Sequence, residues 1–487
     1  MKQTHRWLGI ALICLGLAVN TPQANGAEAV PRDAEAPLFV ISQYDLKGYI
    51  DSSGKVVIAA RYDEVRDFYE GFAAVLVGAH TDAEGKVTGG KWGFIDQTGK
   101  MMIPARFDEV SNFINGLAGF RVGATLADDG TLEGGKWGFI DRNGKYVAEP
   151  RYSDVYFNDE FIQVKLLTEN AAGNPVEKWG MIDYSGKLVI PVAMDRVSDF
   201  AEGLAAVSMG GKPNEEGVMV GSKWGYMDQT GKMVIKPQFS YAGSFRNGLA
   251  KICVGGKPTK YYWEIENGKW GLIDSQGNIV VEPKYDDLTV LDDGKDPWIG
   301  VKIANKWGII DRRGVMVIKP VYTDMGAFQE GLAPVRVGDR WGFINRQGQM
   351  VVKPLYTQVS YFYEGYFPVN LGAVPDDAGD MVGGKWGFMN QRGELVIQPQ
   401  FDDIEWIYAP MTEGVAIVNV GGRLGESGLI EGGRWGIIDN RGKWLAEPDY
   451  VIVERTGKGL FRVYTDRQFQ TWGYIDRTGK MIWKPSK

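Results

Sequence analysis

The sequence predicts an all-β protein made of about eleven tandem copies of one small meander, and three observations carry that prediction. First, Trp-Gly recurs ten times at intervals of 34 to 49 residues, with Trp at 92, 137, 179, 224, 270, 307, 341, 386, 435 and 472. Second, most of these pairs sit in (Lys/Arg)-Trp-Gly-apolar-(Ile/Met)-(Asp/Asn)-x-x-Gly, and a degenerate eleventh copy opens the series at Lys47-Gly48-Tyr49-Ile50-Asp51 with Gly54. Third, the 66 glycines among 487 residues are about twice the ordinary share and fall at recurring turn positions. A fixed period of this size means one supersecondary unit stacked many times, with function on the surface of the stack.

The stretch from Gly203 to Phe245 serves as a type copy. An inbound strand, Leu204 to Met209, is short and apolar. A hairpin arm follows through Gly210 to Ser222, and the Trp strand is Lys223-Trp-Gly-Tyr-Met-Asp228. Period-two alternation puts Trp224 and Tyr226 on one face and Gly225 and Met227 on the other. The glycine beside each Trp marks a close approach by a neighbouring backbone or ring. Asp228 to Gly231 form the next turn: an Asp side chain can bond the backbone two residues on, and Gly accepts the positive φ that the hairpin needs. The same turn recurs at Asp96, Asp141, Asp183, Asp274, Asp311, Asp439 and Asp476, with Asn345 and Asn390 as equivalents. The return strand, Lys232 to Pro237, is expected to close at its proline, as at Pro104, Pro150, Pro191, Pro283, Pro320, Pro354, Pro399, Pro448 and Pro485. Proline cannot donate to a ladder. An aromatic such as Phe239, Tyr285 or Phe401 then anchors a linker to the next copy, giving three or four strands per copy. No segment keeps a 3.6-residue period, so helix should be scarce.

The first 27 residues follow another logic. Lys2 and Arg6 precede an apolar run from Leu8 to Val19, and Ala24-Asn25-Gly26 supplies small residues before a cleavage point. This is the pattern of a secretory signal peptide, too short to span a bilayer. Cys14 lies inside the apolar run and follows Ile13, which argues against lipidation. The expected organisation is therefore a signal peptide at 1–27, a linker at 28–37 and the repeat array at 38–487, with a periplasmic or extracellular destination. Without Lys2 and Arg6 the chain keeps 52 basic residues against 61 acidic ones, with no basic run to invite nucleic acid. Cys253 would be the one cysteine left, so no internal disulfide can form in an oxidising compartment.

These motifs resemble the WG-repeat (KWG-repeat) family of bacterial secreted and cell-surface proteins, whose signature reads Lys-Trp-Gly-Phe-Ile-Asp-x-x-Gly-Lys-x-Val-Ile-x-Pro-x-Tyr-Asp. The resemblance runs over residues 38 to 487 and implies an all-β repeat fold. It brings no catalytic motif, because the signature consists of structure-bearing residues. Units of this length also describe propeller blades, but eleven exceeds the usual four to eight. No spare strand at the amino end is evident to zip a ring shut. The expectation is therefore an open, solenoid-like array, with one or two β-propellers as the alternative.

Candidates for chemistry are few. His80 alone of the histidines follows the signal segment, so a Ser-His-Asp or Cys-His arrangement lacks material and a zinc site lacks ligands. Cys253 alternates with apolar neighbours and reads as a small buried hydrophobe. The acidic hairpin tips around Asp82, Asp128, Glu215 and Asp376 lack the spacing of a twelve-residue calcium loop. The Gly-Gly pairs before several Trp are not a phosphate loop, because no Gly-Lys-Ser/Thr follows. No catalytic residue, metal or cofactor is expected. The ten repeat Trp read as core that joins copies, since each can bury some 150–250 Å². Aromatics outside the template are the binding candidates: Tyr261, Tyr262 and Trp263, Trp298, and Trp406 with Tyr408. The resulting expectation is an exported, non-enzymatic scaffold that binds an unidentified envelope protein, with a glycan or cell-wall polymer as the alternative ligand.

Overall fold

A computed structural model describes residues 36–81, 87–127, 131–169, 175–213, 219–259, 265–291, 297–376, 381–405, 411–425, 430–457, 459–466 and 471–484. The proposed signal peptide, Tyr261, Tyr262, Trp263, Trp406, Tyr408 and Pro485 lie outside the described residues. Residues 36–487 form one unit, in which the described residues make eleven blades, each an antiparallel sheet, and two further two-stranded sheets in the arms of blades 5 and 9. Among the described residues there is no helix.

Ten sheets are four-stranded meanders. Blade 5 shows the plan: a lead strand Arg196–Ala201, the inbound strand Leu204–Met209, the Trp strand Lys223–Asp228 and the return strand Met233–Phe239. The lead strand lies in the segment expected to be a linker, so four strands is the rule. In six of the blades it is only two residues long, which leaves too little sequence for a period to show. Blade 1 holds three strands among the described residues: Phe39–Gln43, Leu46–Ile50 and Val56–Tyr62.

The return strand does not stop at its proline. In blade 5 it runs on to Phe239, which pairs with Trp224, while Tyr226 pairs with Ile235. Gly225 alone thus faces Lys236, Pro237 and Gln238 of the return strand, and Pro237 sits in the resulting bulge where no ladder donor is required. The bulge passes directly over Gly225. A Cβ there would lie 2.3 Å from the Ile235 carbonyl oxygen and 2.7 Å from the Pro237 nitrogen. The same overlap with the return strand recurs at Gly48, Gly93, Gly138, Gly180, Gly271, Gly308, Gly342, Gly387, Gly436 and Gly473. Trp-Gly is therefore one device: the Trp pairs with the end of the return strand, and the Gly leaves room for the strand to get there.

The Asp-x-x-Gly turn is built as expected. Asp228 Oδ1 accepts the amides of Thr230 at 2.9 Å and Lys232 at 3.1 Å and the Thr230 hydroxyl at 2.6 Å, while Gly231 has φ +80°. The turn also makes the junction between blades. Gly99 of blade 2 faces Ile58 of blade 1, Gly144 faces Ile103, and Gly277 faces Ile235.

The array closes into an eleven-bladed ring, so the propeller alternative holds and the open stack does not. Gly54 of blade 1 faces the Ile482 carbonyl of blade 11, the contact that joins consecutive blades elsewhere. Phe39, Ile41 and Ile50 share one buried cluster with Leu460 and Tyr474. The Tyr474 hydroxyl donates to the Val40 carbonyl at 2.9 Å. Among the described residues no strand is exchanged between blade 1 and blade 11. Closure comes from the face-to-face packing that unites every other pair of blades, which is why counting strands at the termini pointed the wrong way.

Candidate functional site

The repeat Trp residues sit inside the ring wall. Trp137, Trp179, Trp224, Trp270 and Trp386 are buried, and Trp92, Trp307, Trp341, Trp435 and Trp472 are half-buried. Trp224 and Tyr226 pack with Ile235, Phe239 and, from blade 6, Ile252 and Ile273. On the opposite face Met227 joins Trp179 and Met181 of blade 4. The alternation read from the sequence thus sends one face of each Trp strand to the next blade and the other to the previous one. Trp298 is half-buried in the core of blades 7 and 8, its ring edge-on to Phe328 at 5.5 Å. It lines no groove.

The lysine of the repeat has a role that the sequence reading missed. In blade 4 Lys178 reaches Asp195, seventeen residues on, at 2.6 Å, and Asp195 also accepts the Gly211 amide at 2.7 Å and the Ser222 hydroxyl at 2.9 Å. Lys91 with Asp108, Lys269 with Asp286, and Lys385 with Asp402 repeat this latch across the base of an arm. The constant spacing was the available signal. His80 is exposed, with its Nε2 3.1 Å from the Thr88 hydroxyl. Cys253 is buried, and burial raises its thiol to about 11, which keeps it an unreactive thiol at neutral pH. The Gly-Gly pairs 89–90, 134–135, 383–384 and 432–433 all have positive φ and shape the arms. Among the described residues no cluster of His, Cys, Asp and Glu could hold a metal ion.

One place departs from the repeat, and it lies at the seam where blade 11 meets blade 1. In blade 2 the lead strand Glu64–Val65 pairs with the inbound strand at Leu76 and Val75. The Ala74 carbonyl there accepts the Arg66 amide at 2.9 Å. Val40 is the matching residue of blade 1, and its carbonyl takes the Tyr474 hydroxyl instead. A cleft of about 510 Å³ opens beside it, lined by Val40, Lys47, Glu64, Arg66, Asp67, Tyr69, Asn112, Arg462, Tyr464 and Trp472, among others.

Two cations stand beside the strand edge of this cleft, and one of them, Lys47, replaces the repeat Trp. Lys47 pairs with Tyr62 where the repeat puts Trp, and its ammonium donates to Ser42 Oγ at 3.0 Å. Arg462 pairs with Tyr474 at a position that holds Ala74, Ala206 and Gly119 in blades 2, 5 and 3 and another cation, Lys251, in blade 6, and it lies 3.7 Å from Glu454. Its guanidinium stacks 5.1 Å from the Trp472 ring and donates to the Tyr474 hydroxyl at 3.1 Å. Burial pushes Glu64 above the usual carboxylate range, partly offset by Lys47. Burial raises Tyr474 to about 12, so its hydroxyl stays a donor. Among the described residues the cleft thus offers a strand edge, the cations Lys47, Arg66 and Arg462 beside the acids Glu64 and Asp67, and an aromatic wall.

The family model described as "WG containing repeat" matches residues 48–79, 92–124, 137–166, 179–212, 224–257, 270–307, 307–341, 341–373, 386–423 and 435–466. The chain belongs to the WG-repeat family. Each matched repeat starts at or beside the glycine-bearing Trp strand of one blade and runs into the inbound strand of the next, so the WG unit straddles a junction of the ring. A comparison with curated proteins finds no match. Among solved structures, this WG-repeat ring is similar to a eukaryotic initiation factor at 10% identity and TM-score 0.40, over 83% of this chain and 94% of that one. It is similar to apo AztD from Citrobacter koseri at 14% identity and TM-score 0.27, over 72% and 91%. Oligopeptidase B from Leishmania major matches at 10% identity and TM-score 0.31, over 72% of this chain but only 52% of the oligopeptidase. Similarity at this level carries nothing about activity.

Proposed function

We propose that this WG-repeat ring is an exported, non-enzymatic scaffold that binds an extended segment of a partner protein in the bacterial envelope. The observation that carries the reading is the seam cleft. A strand edge next to a groove with charged and aromatic walls suits strand addition, in which main-chain hydrogen bonds give affinity and side-chain pockets give specificity. Lys47 and Arg462 favour a segment with a carboxylate, and Trp472 and Tyr464 favour one with an apolar or aromatic residue beside it. The apolar run at Leu8 to Val19 and the small residues before Ala27 support export.

Amino-terminal sequencing of envelope protein should begin at Ala27 or Glu28, and a chain that retains Lys2 and Arg6 would refute export by this route. Envelope extract passed over the mature protein should yield a partner whose crosslinked peptide maps to Lys47, Tyr69 or Tyr464. The double variant Lys47→Glu, Glu64→Lys should lose it. A chain beginning at Ala36 should capture the same partner, and binding seen only with that shortened chain would mean the edge is not available in the mature protein. Parallel pelleting with polysaccharide and peptidoglycan covers the alternative ligand: retention there that depends on the same residues would replace the protein-binding reading with glycan binding.

A further inference from the structure

Among the described residues the return strand forms one edge of every blade, and in part of the ring its exposed positions are apolar and basic. In blades 1 and 2 the exposed residues include Val56, Val57, Met101 and Met102, each about 40% accessible, beside exposed Lys55, Arg61, Lys100 and Arg106. Blades 3 to 5 continue with exposed Tyr146, Val147, Leu188 and Val234. Edges of this kind need an explanation, because unpaired strands rich in Val and Met invite association.

The charge on these edges is not shared evenly around the ring. The return segments of blade 11 and of blades 1 to 5 (480–484, 55–62, 100–107, 145–152, 187–194 and 232–239) hold eleven Lys or Arg against the single acid Glu149. Those of blades 6 to 10 (278–285, 315–322, 349–356, 394–401 and 443–450) hold four cations and four acids. The whole chain has a net charge of −7. Along the sequence, acids and bases look evenly spread; the fold sorts them. Ring closure also makes the basic set continuous, because it places the last blade beside the first. Within this arc each turn glycine from Gly479 through Gly54 to Gly231 faces the preceding return strand, so the six return strands follow one another directly around the ring.

Lysine and proline on edge strands commonly act as protection against edge-to-edge pairing. That role would put the same charge on all eleven edges. Blades 6 to 10 expose equally apolar positions, among them Ile279, Val317, Met350 and Leu355, without a cationic excess. Protection therefore leaves the one-sidedness unexplained.

We propose that the return-strand arc of blades 11 and 1 to 5 docks the ring onto an anionic lipid surface. Exposed Met, Val, Leu and Tyr side chains would enter the headgroup region while the flanking ammonium and guanidinium groups meet lipid phosphates, as at other interfacial protein surfaces. The seam cleft lies on blades 11, 1 and 2 within the same arc, but the two surfaces use different residues and stand or fall separately.

The test is flotation of the mature protein with phosphatidylcholine vesicles, with and without phosphatidylglycerol. Binding is expected only with the anionic lipid and should fall as salt is raised. At about fivefold per cation, the triple variant Lys145→Gln, Lys232→Gln, Lys236→Gln should weaken partitioning by roughly a hundredfold. Lys319→Gln, Lys353→Gln, Lys443→Gln, from the neutral arc, should change it by less than about threefold. Circular dichroism and thermal melting of both triples must match the parent, so that a loss reports the surface and not folding. Met101→Ser, Met102→Ser should weaken binding at every salt concentration. Equal loss from the two triples, equal binding to neutral vesicles, or no flotation with phosphatidylglycerol would each overturn the proposal. So would full competition by free glycerol phosphate or by an acidic polysaccharide, which would show a soluble anion to be the ligand.

Discussion

Replacing Gly225 with alanine adds one methyl group, and in a strand interior that change ordinarily stabilises by about 0.5–1 kcal/mol. Here the structure reverses the sign. The new Cβ would lie 2.3 Å from the Ile235 oxygen and 2.7 Å from the Pro237 nitrogen, where ordinary contact begins near 3.4 Å. The obstructing atoms are backbone and cannot rotate away, so the return strand must retreat by about 1 Å. Overpacking on this scale costs about 1–3 kcal/mol. Retreat also strains the pairings on either side of the bulge, Tyr226 with Ile235 and Trp224 with Phe239, at about 0.5–1.5 kcal/mol for each ladder bond lost. Gly225→Ala should therefore destabilise blade 5 by about 3 kcal/mol or more. Hydrogen exchange is the assay that resolves one blade: amides of 223–239 and of the blade 6 strands that pack on them should exchange faster, with blades 9 and 10 unchanged. Gly243→Ala is the control, because its nearest neighbour lies 3.6 Å away and its φ is not positive. If Gly225→Ala stays within about 0.5 kcal/mol of the parent, the account of the Trp-Gly pair is wrong.

Trp224→Ala removes a ring that is 6% exposed in the cluster spanning blades 5 and 6 and should cost about 3–5 kcal/mol, read by thermal melting and by faster exchange at those two blades. Unchanged protease resistance together with lost ligand binding would instead make the Trp ladder a binding site. Tyr474→Phe deletes the hydroxyl that bonds the Val40 carbonyl and should cost about 0.5–1.5 kcal/mol, with the added exchange confined to blades 11 and 1. Acid should loosen most Asp turns together. Hydrogen bonds to the turn amides and hydroxyls hold Asp51, Asp96, Asp183, Asp228, Asp274, Asp311, Asp439 and Asp476 below the usual carboxylate range. A carboxyl lowered by folding stabilises the fold above its ordinary range, and that stability is lost as pH falls through the lowered value. Turns 8 and 9 use Asn345 and Asn390, so their amides should keep their protection in acid. Uniform loss across all turns would refute the carboxylate as the cause.

Much of this protein is local and therefore legible in one copy of the repeat. The Trp strand alternates, the Asp-x-x-Gly turn states its own hydrogen bonds, and the Gly after each Trp announces a close approach; all three depend on neighbours within some fifteen residues. The lead strand was missed because two residues cannot display a period, and the proline was misread because a bulge depends on the partner strand. The Lys-Asp latch was visible as a spacing but had no meaning without the arm it crosses. Ring closure could not be read at all. It depends on the small rotation between successive blades, summed over eleven junctions, and on whether the last face then meets the first. That sum decided the features with functional weight: the seam cleft that gathers Lys47 and Arg462 from opposite ends of the chain, and the basic arc that joins blade 11 to blades 1 to 5. The sequence determined the blade, because its interactions are short in range. The tertiary structure decided the sites, because the seam cleft and the junction of blade 11 with blades 1 to 5 exist only once the ring has closed.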